Sequence, residues 1–302
     1  MYVKINCGFN LQTHSFLRKW VGLFCFFCRV QHAVVIAAVW HQGGEDQMTN
    51  HVTIKNVSFA FPEKKDSPVL ANVSLQVQQG EFVSLIGSSG SGKSTLFKLL
   101  AGLHEPTVGT IDIADVPQGQ RLGRVSYMPQ KDLLLSWRTV MENCMLPAEL
   151  ARGRQDKDKL RADIIAGLAR FGLSGYEQAY PDELSGGMRQ RVALLRTLLT
   201  GGQLMLLDEP FGALDALTKR EMHRWLLELW EDFGQTVLFI THDIEEALLL
   251  SDRIILLIPG RQGQQLRDMT VPFPRPRHSD MIYEPALVQM RRQLEEQLHA
   301  KR

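Results

Sequence analysis

The stretch GSSGSGKST, residues 87–95, has the residue types and the spacing of a loop that binds phosphate. It follows a short apolar run, FVSLI, that is typical of a buried strand, and it precedes a helical pattern, KSTLFKLLAGL. Glycines let the backbone wrap closely around an oxyanion, and amides at a helix N-terminus point toward it. We predict that Lys93 contacts the β- and γ-phosphates of a nucleotide and that Ser94 binds Mg²⁺. The loop residues are Gly87, Ser88, Ser89, Gly90, Ser91, Gly92, Lys93, Ser94 and Thr95.

Two adjacent carboxylates end a second apolar run, LMLLDEP. The run predicts a strand beside that of the phosphate loop, where Asp208 can hold Mg²⁺ directly or through water. Glu209 follows and is expected on the opposite face of the pleat, as a base or a positioning group for the water that attacks a γ-phosphate. His242, in FITHD, ends a third apolar run and is expected at the same sheet edge, near the γ-phosphate. The set favours hydrolysis of a nucleotide over phosphoryl transfer to a hydroxyl.

Strands that alternate with helices predict the sheet that must position these residues. Apolar runs that follow one another with helical patterns between them imply a parallel sheet covered on both faces. Residues from about 131 to 198 are mainly helical in pattern and interrupt the alternation, which predicts a helical subdomain. The last stretch, EPALVQMRRQLEEQLHAKR, is expected to be a solvated amphipathic helix. The expected strands lie in VTIKNVSFAF, NVSLQVQQGEFVSLIG, GTIDI, GRVSYMPQ, LMLLDEP, TVLFITHD and RIILLI.

Six motifs, GSSGSGKST, MPQ, LSGGM, LMLLDEP, GALD and THD, occur in the order found in ATP-binding-cassette ATPases, which the chain resembles over about residues 50–275. The resemblance implies an α/β fold: a RecA-like P-loop NTPase core with an antiparallel β subdomain and an inserted α-helical subdomain. ATP and Mg²⁺ are then the expected nucleotide and metal. Gln130 resembles the Q-loop glutamine, which links Mg²⁺ and the attacking water to the helical subdomain. Asp215 resembles the D-loop aspartate at the dimer seam, and Phe61 the aromatic residue, more often tyrosine, that stacks on adenine.

The LSGGM stretch, residues 184–188, resembles the signature that defines this family and implies that the chain acts in pairs. In the family, the signature faces the ATP on the opposite subunit, so that two chains enclose two nucleotides. Ser185, Gly186 and Gly187 suit this role because their amides form a helix N-terminus exposed to a γ-phosphate. Met188 stands where glutamine is more familiar, but the backbone donors are unchanged. We expect a cycle of dimer closure by ATP and opening after hydrolysis, and no competent monomer.

Three further stretches, KDLLLSWRTVMENCML, EPFGALDALTKREM and PFPRPR, resemble the nitrate, sulfonate and taurine class of bacterial uptake ATPases. That class extends to transporters of pyrimidine precursors of thiamine. The resemblance implies import of a small solute through separate membrane permease subunits, with a periplasmic or lipid-anchored substrate-binding protein. It also implies a peripheral location on the cytoplasmic face of the cell membrane. The alternative is a soluble cassette ATPase acting on ribosomes or DNA, but neither a second cassette nor a long coiled coil is visible.

Composition and charge are those of an ordinary globular protein. The 302 residues are 44% apolar and 22% charged with a net charge of +1, so charge gives no argument for nucleic acid as a partner. The CFFC pair has no second pair to complete a zinc site, and we expect incidental thiols. We divide the chain into an N-terminal extension (1–47), an ATPase domain (48–275) and a C-terminal helical tail (276–302).

The apolar stretch Trp20–Trp40 is long enough to cross a membrane, but Arg29, Gln31 and His32 interrupt its centre. A signal peptide fits poorly, because no small-x-small cleavage site clearly follows the apolar run. We favour an extension upstream of the fold, such as a mis-assigned translation start. A membrane anchor and a tail of unexplained function are the alternatives.

Overall fold

The computed structural model describes residues 50–64, 67–150, 157–260, 263–275 and 277–299. The described residues all belong to one compact unit. The predicted N-terminal extension, with its apolar stretch and its cysteine pair, lies outside the described residues. Within the described ranges, none of the helices is long and apolar enough to span a membrane.

The described strands form two sheets, and the described helices cover them. The strands are β1 (Asn50–Phe59), β2 (Leu70–Gln78), β3 (Phe82–Ile86), β4 (Val108–Ile113), β5 (Ser126–Met128), β6 (Leu204–Asp208), β7 (Thr236–Ile240), β8 (Arg253–Gly260) and β9 (Gly263–Thr270). The α-helices are α1 (Lys93–Leu100), α2 (Val140–Leu150), α3 (Lys157–Arg170), α4 (Gly186–Leu198), α5 (Ala216–Phe233), α6 (Ile244–Leu250) and α7 (Pro285–His299).

The larger sheet has the strand order β5-β6-β7-β3-β8-β9, and its neighbours are parallel except for the β8–β9 pair. Every residue of β3, β6 and β7 is buried, as expected for parallel strands covered on both faces. Ile240 at the end of β7 pairs with Leu85 of β3 on one side and with Asp208 of β6 on the other. The three strands therefore end at the same edge.

The smaller sheet is antiparallel, with the order β2-β1-β4, and it packs on α1 and β3 through one apolar cluster. A second cluster joins α2, α3 and α4 to the opposite side of the larger sheet. The α/β fold with an antiparallel β subdomain and an inserted helical subdomain, predicted from the motifs, is therefore confirmed. Strand β9 was not predicted, because its sequence GQQLRDMT is mostly polar and it gains its pairing from the neighbouring apolar β8.

The C-terminal helix α7 is packed against the domain rather than solvated, so that expectation was wrong. Leu287 and Leu294 are buried in a cluster with Leu248 of α6 and Ile86 at the end of β3. The physical reason is the spacing of its apolar residues, which lie three and four positions apart and form one apolar face. Arg277, in the segment that leads to this helix, is also buried and donates hydrogen bonds to the backbone carbonyls of Leu248 and Ser251.

His51 connects the two sheets and makes stability depend on pH. Its ring hydrogen-bonds to the Thr236 hydroxyl at the start of β7. Burial lowers the pKa of His51 below its ordinary value of 6.5, although the Asp115 carboxylate opposes this shift. The unfolded chain therefore binds a proton more readily than the folded chain as the pH falls through 6.5. Acidification should reduce the free energy of unfolding.

We predict that His51→Gln weakens this dependence on pH, because glutamine can bond to Thr236 but does not titrate. The measurement is urea unfolding at about pH 7.5 and about pH 5.5, where the wild type should lose more stability than the variant. His278→Gln, at an exposed position, is the matched control and should behave like the wild type. An unchanged pH dependence in His51→Gln would contradict the assignment.

Candidate nucleotide site

The loop between β3 and α1 has a backbone conformation that requires glycine. Gly90 and Gly92 have φ angles of 79° and 100°, in the left-handed region. A Cβ atom on Gly92 would lie 2.6 Å from Leu70 Cδ2, and one on Gly87 would lie 2.4 Å from the Leu257 carbonyl oxygen. The loop thus fits closely between β2 and β8 and leads directly into the N-terminus of α1.

Lys93, the first residue of α1, folds back over this loop. Its Nζ atom donates hydrogen bonds to the carbonyls of Gly87, at 2.8 Å, and Ser88, at 3.0 Å. Burial lowers the pKa of Lys93, while the Glu209 and Asp208 carboxylates oppose that shift. Inside the same loop, the Ser91 hydroxyl is buried and has no hydrogen-bond partner. A buried hydroxyl without a partner, in the loop over which Lys93 folds, fits a phosphate oxygen.

Ser94 and Asp208 supply the oxygen atoms expected of a magnesium site. The Ser94 hydroxyl hydrogen-bonds to the Asp208 carboxylate. Burial raises the pKa of Asp208, although Ser94 and Lys93 lower it. A hydroxyl and a carboxylate fit Mg²⁺, which keeps several waters and takes further oxygen ligands from phosphates. Among the described residues, no group of three or more His, Cys, Asp or Glu residues suited to a metal occurs.

Glu209 lies beyond the end of β6, in a left-handed turn with a φ of 50°. The expectation that it sits on the opposite face of the pleat was therefore wrong, because the strand ends at Asp208. Gln130 Nε2 donates to Glu209 Oε2 at 2.9 Å, and His242 Nδ1 lies 3.5 Å from Glu209 Oε1. The structure thus brings three of the predicted residues together at one carboxylate. Gln130 therefore contacts the Glu209 carboxylate, and its role as a Mg²⁺ ligand stays a prediction.

A buried polar network, which the sequence did not reveal, holds the loop that carries His242. The buried Thr241 hydroxyl donates to the Glu246 carboxylate. Lys219 Nζ of α5 lies 2.6 Å from Glu246 Oε1 and 2.9 Å from Asp243 Oδ2. The network joins α5 to α6 on either side of the histidine loop. The signal in the sequence was the charge on Glu246, which directly precedes the apolar residues of α6.

The signature forms the start of α4. Ser185 is the N-cap, and its hydroxyl accepts a hydrogen bond from the Met188 amide at 3.2 Å. Ser185 and Gly186 are exposed, so the first amides of the helix lie at the surface, where a helix N-terminus favours an anion. A Cβ atom on Gly187 would lie 3.0 Å from Leu214 Cδ2. The second signature glycine therefore allows close packing on the GALD turn.

Asp215 and Phe61 occupy supported positions. The Asp215 carboxylate caps α5 by accepting hydrogen bonds from the Leu217 and Thr218 amides and the Thr218 hydroxyl. The Thr218 hydroxyl is the main cause of a lowered pKa for Asp215. Phe61 is half-buried, and its ring meets the Phe59 ring edge-on, with the centroids 5.1 Å apart. Any contact of either residue with a nucleotide or a second chain remains a prediction.

We predict that Asp215→Ala lowers the free energy of unfolding, because three hydrogen bonds at the start of α5 are lost. Asp215→Asn removes the charge but keeps a good capping side chain, and it should stay close to the wild type. Urea unfolding of the two variants tests this capping role. Equal losses in both would show that the charge, rather than the cap, stabilises the helix.

The fold and this arrangement define a class: a P-loop ATPase of the cassette type, with a helical subdomain and a signature helix. A model of the family described as "ABC transporter" matches residues 70–212. The formylaminopyrimidine import ATP-binding protein of Halalkalibacterium halodurans is 52% identical over 207 residues, which cover 68% of this chain and 78% of that protein. The chain belongs to the ABC transporter family as an ATP-binding, ATP-hydrolysing subunit, as predicted.

Two further comparisons agree. An aliphatic sulfonates import ATP-binding protein of Rhodococcus jostii is 45% identical over 214 residues, covering 71% of this chain and 82% of that protein. A dimeric ATP-binding cassette solved in a post-hydrolysis state with ADP and phosphate is 31% identical, with a TM-score of 0.65. That match covers 74% of this chain and all of the other.

Proposed function

We propose that the chain hydrolyses ATP at this site, as one half of a dimer, and so drives import of a small solute through membrane permease subunits. The observation that carries the proposal is the convergence of Gln130 and His242 on the Glu209 carboxylate. A carboxylate held by two polar side chains, beside a phosphate loop, is suited to positioning and deprotonating water. As a family member, the chain is the ATPase subunit of an importer. The comparisons give no support for the alternative, action on ribosomes or DNA.

In the proposed reaction, the loop amides and Lys93 hold the phosphates while Glu209 orients a water molecule. The water oxygen bonds to the γ-phosphorus as the bond to the bridging oxygen of ADP breaks, and Glu209 accepts the proton that the water loses. Gln130 and His242 keep the carboxylate in place. Mg²⁺, bound by Ser94 and Asp208, would neutralise charge on the phosphates.

A second copy of the chain would complete the site. The exposed amides at the start of α4 can receive a γ-phosphate from another molecule, and the related cassette with ADP and phosphate is a dimer. We infer that ATP joins the two chains and that hydrolysis removes this link. Trp137 is 72% exposed and Leu133 is 59% exposed, a few residues after Gln130. Exposed apolar side chains of this kind suit a permease contact.

The solute and the location complete the proposal. Identity is 52% to the formylaminopyrimidine relative and 45% to the sulfonate relative, so we favour a pyrimidine as the imported solute. A substrate-binding protein outside the cytoplasm would deliver it to the permease. The chain would lie on the cytoplasmic face of the cell membrane, bound to the permease subunits.

We predict that Glu209→Gln leaves ATP binding intact and lowers kcat for ATP hydrolysis by at least about 100-fold, because the amide cannot accept the proton. With ATP and Mg²⁺, the variant should accumulate as a dimer, measured by size-exclusion chromatography with light scattering. Normal hydrolysis by this variant would overturn the role of Glu209. Glu81→Gln is a control, since that carboxylate pairs with Arg253 instead.

The import role has its own test. In a strain that lacks this chain, the wild type should restore uptake of labelled formylaminopyrimidine, and Glu209→Gln should not. Uptake of a labelled alkanesulfonate, measured in parallel, separates the two solute classes. Restored uptake of the sulfonate without the pyrimidine would overturn the choice of solute while leaving the ATPase assignment intact.

A further inference from the structure

Gln190, the fifth residue of α4, is buried, with 7% of its surface exposed. Its side-chain amide joins two backbone groups in the segment that follows β6. Nε2 donates to the Glu209 carbonyl at 3.1 Å, and the Ala213 amide donates to Oε1 at 3.0 Å. A carbonyl only accepts and an amide N–H only donates, so the two bonds fix a single orientation of the glutamine amide.

The backbone that Gln190 contacts is a strained one. A φ of 50° is unfavourable at a residue with a side chain and persists only where the surroundings hold it. The Glu209 amide donates to the Ile240 carbonyl at 3.0 Å, and the Glu209 carbonyl also accepts from the Gly212 amide at 3.2 Å. Gln190 adds a bond from a separate helix. It therefore supports the turn that aims the Glu209 carboxylate.

Helix α4 also contacts two other segments of the expected site, the GALD turn and the segment that follows Gln130. Its first residues form the signature, and Gly187 packs closely on Leu214, next to Asp215. Further along, Arg196 donates to the carbonyls of Asp132, at 2.6 Å, and Leu133, at 2.9 Å. These two residues follow Gln130 closely. A shift of α4 would therefore act on both sides of the Glu209 carboxylate.

We propose that Gln190 is a positioning residue that transmits the placement of the signature helix to the Glu209 backbone of the same chain. When the signature binds a phosphate on the partner chain, the position of α4 is fixed. Gln190 then fixes the position of the Glu209 backbone in its own chain. The inference rests on the proposed hydrolytic role of Glu209 and on dimerisation.

Gln190→Met tests the proposal, because methionine keeps the length of the side chain and removes both hydrogen bonds. Thr197→Val is the matched control: Thr197 is also buried in α4, but its hydroxyl donates to Ala193 within the helix, at 2.9 Å. We expect Gln190→Met to lower kcat by about tenfold or more with ATP affinity within about twofold of the wild type. Thr197→Val should lose stability without that loss of kcat. The readouts are kcat, the Kd for ATP and Tm.

Gln190→Glu is the second variant, since glutamate still accepts from the Ala213 amide but no longer donates to Glu209. It should show the same selective fall in kcat. If Gln190→Met does not fold, Gln190→Glu is the variant that is compared with Thr197→Val. Equal kcat values for the Gln190 variants and Thr197→Val, measured well below each Tm, would overturn the proposal. Absence of ATPase activity in the wild type would instead overturn the proposed function.

Discussion

In-register parallel pairing of β6, β7 and β3 is the constraint on which the site depends. Ile240 pairs with Asp208 on one side and Leu85 on the other, so the chain leaves all three strands at one level. The segments that begin there carry the predicted phosphate-binding residues, the two carboxylates and the histidine. Ligands of open parallel sheets bind at this edge. Burial of the apolar strands therefore determines where the polar residues meet.

The position of the Glu209 carboxylate depends on more than the sheet. The Glu209 side chain is held by Gln130 and His242, and its backbone by Ile240 and Gln190. These four partners come from three segments, since Ile240 and His242 lie at the end of the same strand, and one of the three is the signature helix. A left-handed turn held in this way is rigid only while all segments stay in place. The placement of the Glu209 carboxylate is thereby made sensitive to the arrangement of these segments.

The sequence predicted the parts of the site that depend on local patterns. Lys93 and its glycine loop were found by type and spacing, and Asp208 by the apolar strand before it. The position of Glu209 was mispredicted because strand alternation cannot show where a strand ends. Gln190 was missed because LSGGMRQR reads as a polar helix start, and burial of one glutamine depends on tertiary packing. The contacts of α7 were missed for the same reason, although the spacing of Leu287 and Leu294 indicated an apolar face.

The packing of α7 limits where the chain can be shortened for recombinant expression. The helix covers Leu248 and belongs to the same apolar cluster as Ile86, the residue directly before Gly87 of the phosphate loop. Trimming the chain at the end of its recognisable motifs, before residue 285, would bare this apolar surface to water. Shortened versions should then aggregate or bind nucleotide poorly for reasons unrelated to chemistry. Helix α7 therefore packs in the cluster that supports the end of β3, where the phosphate loop begins.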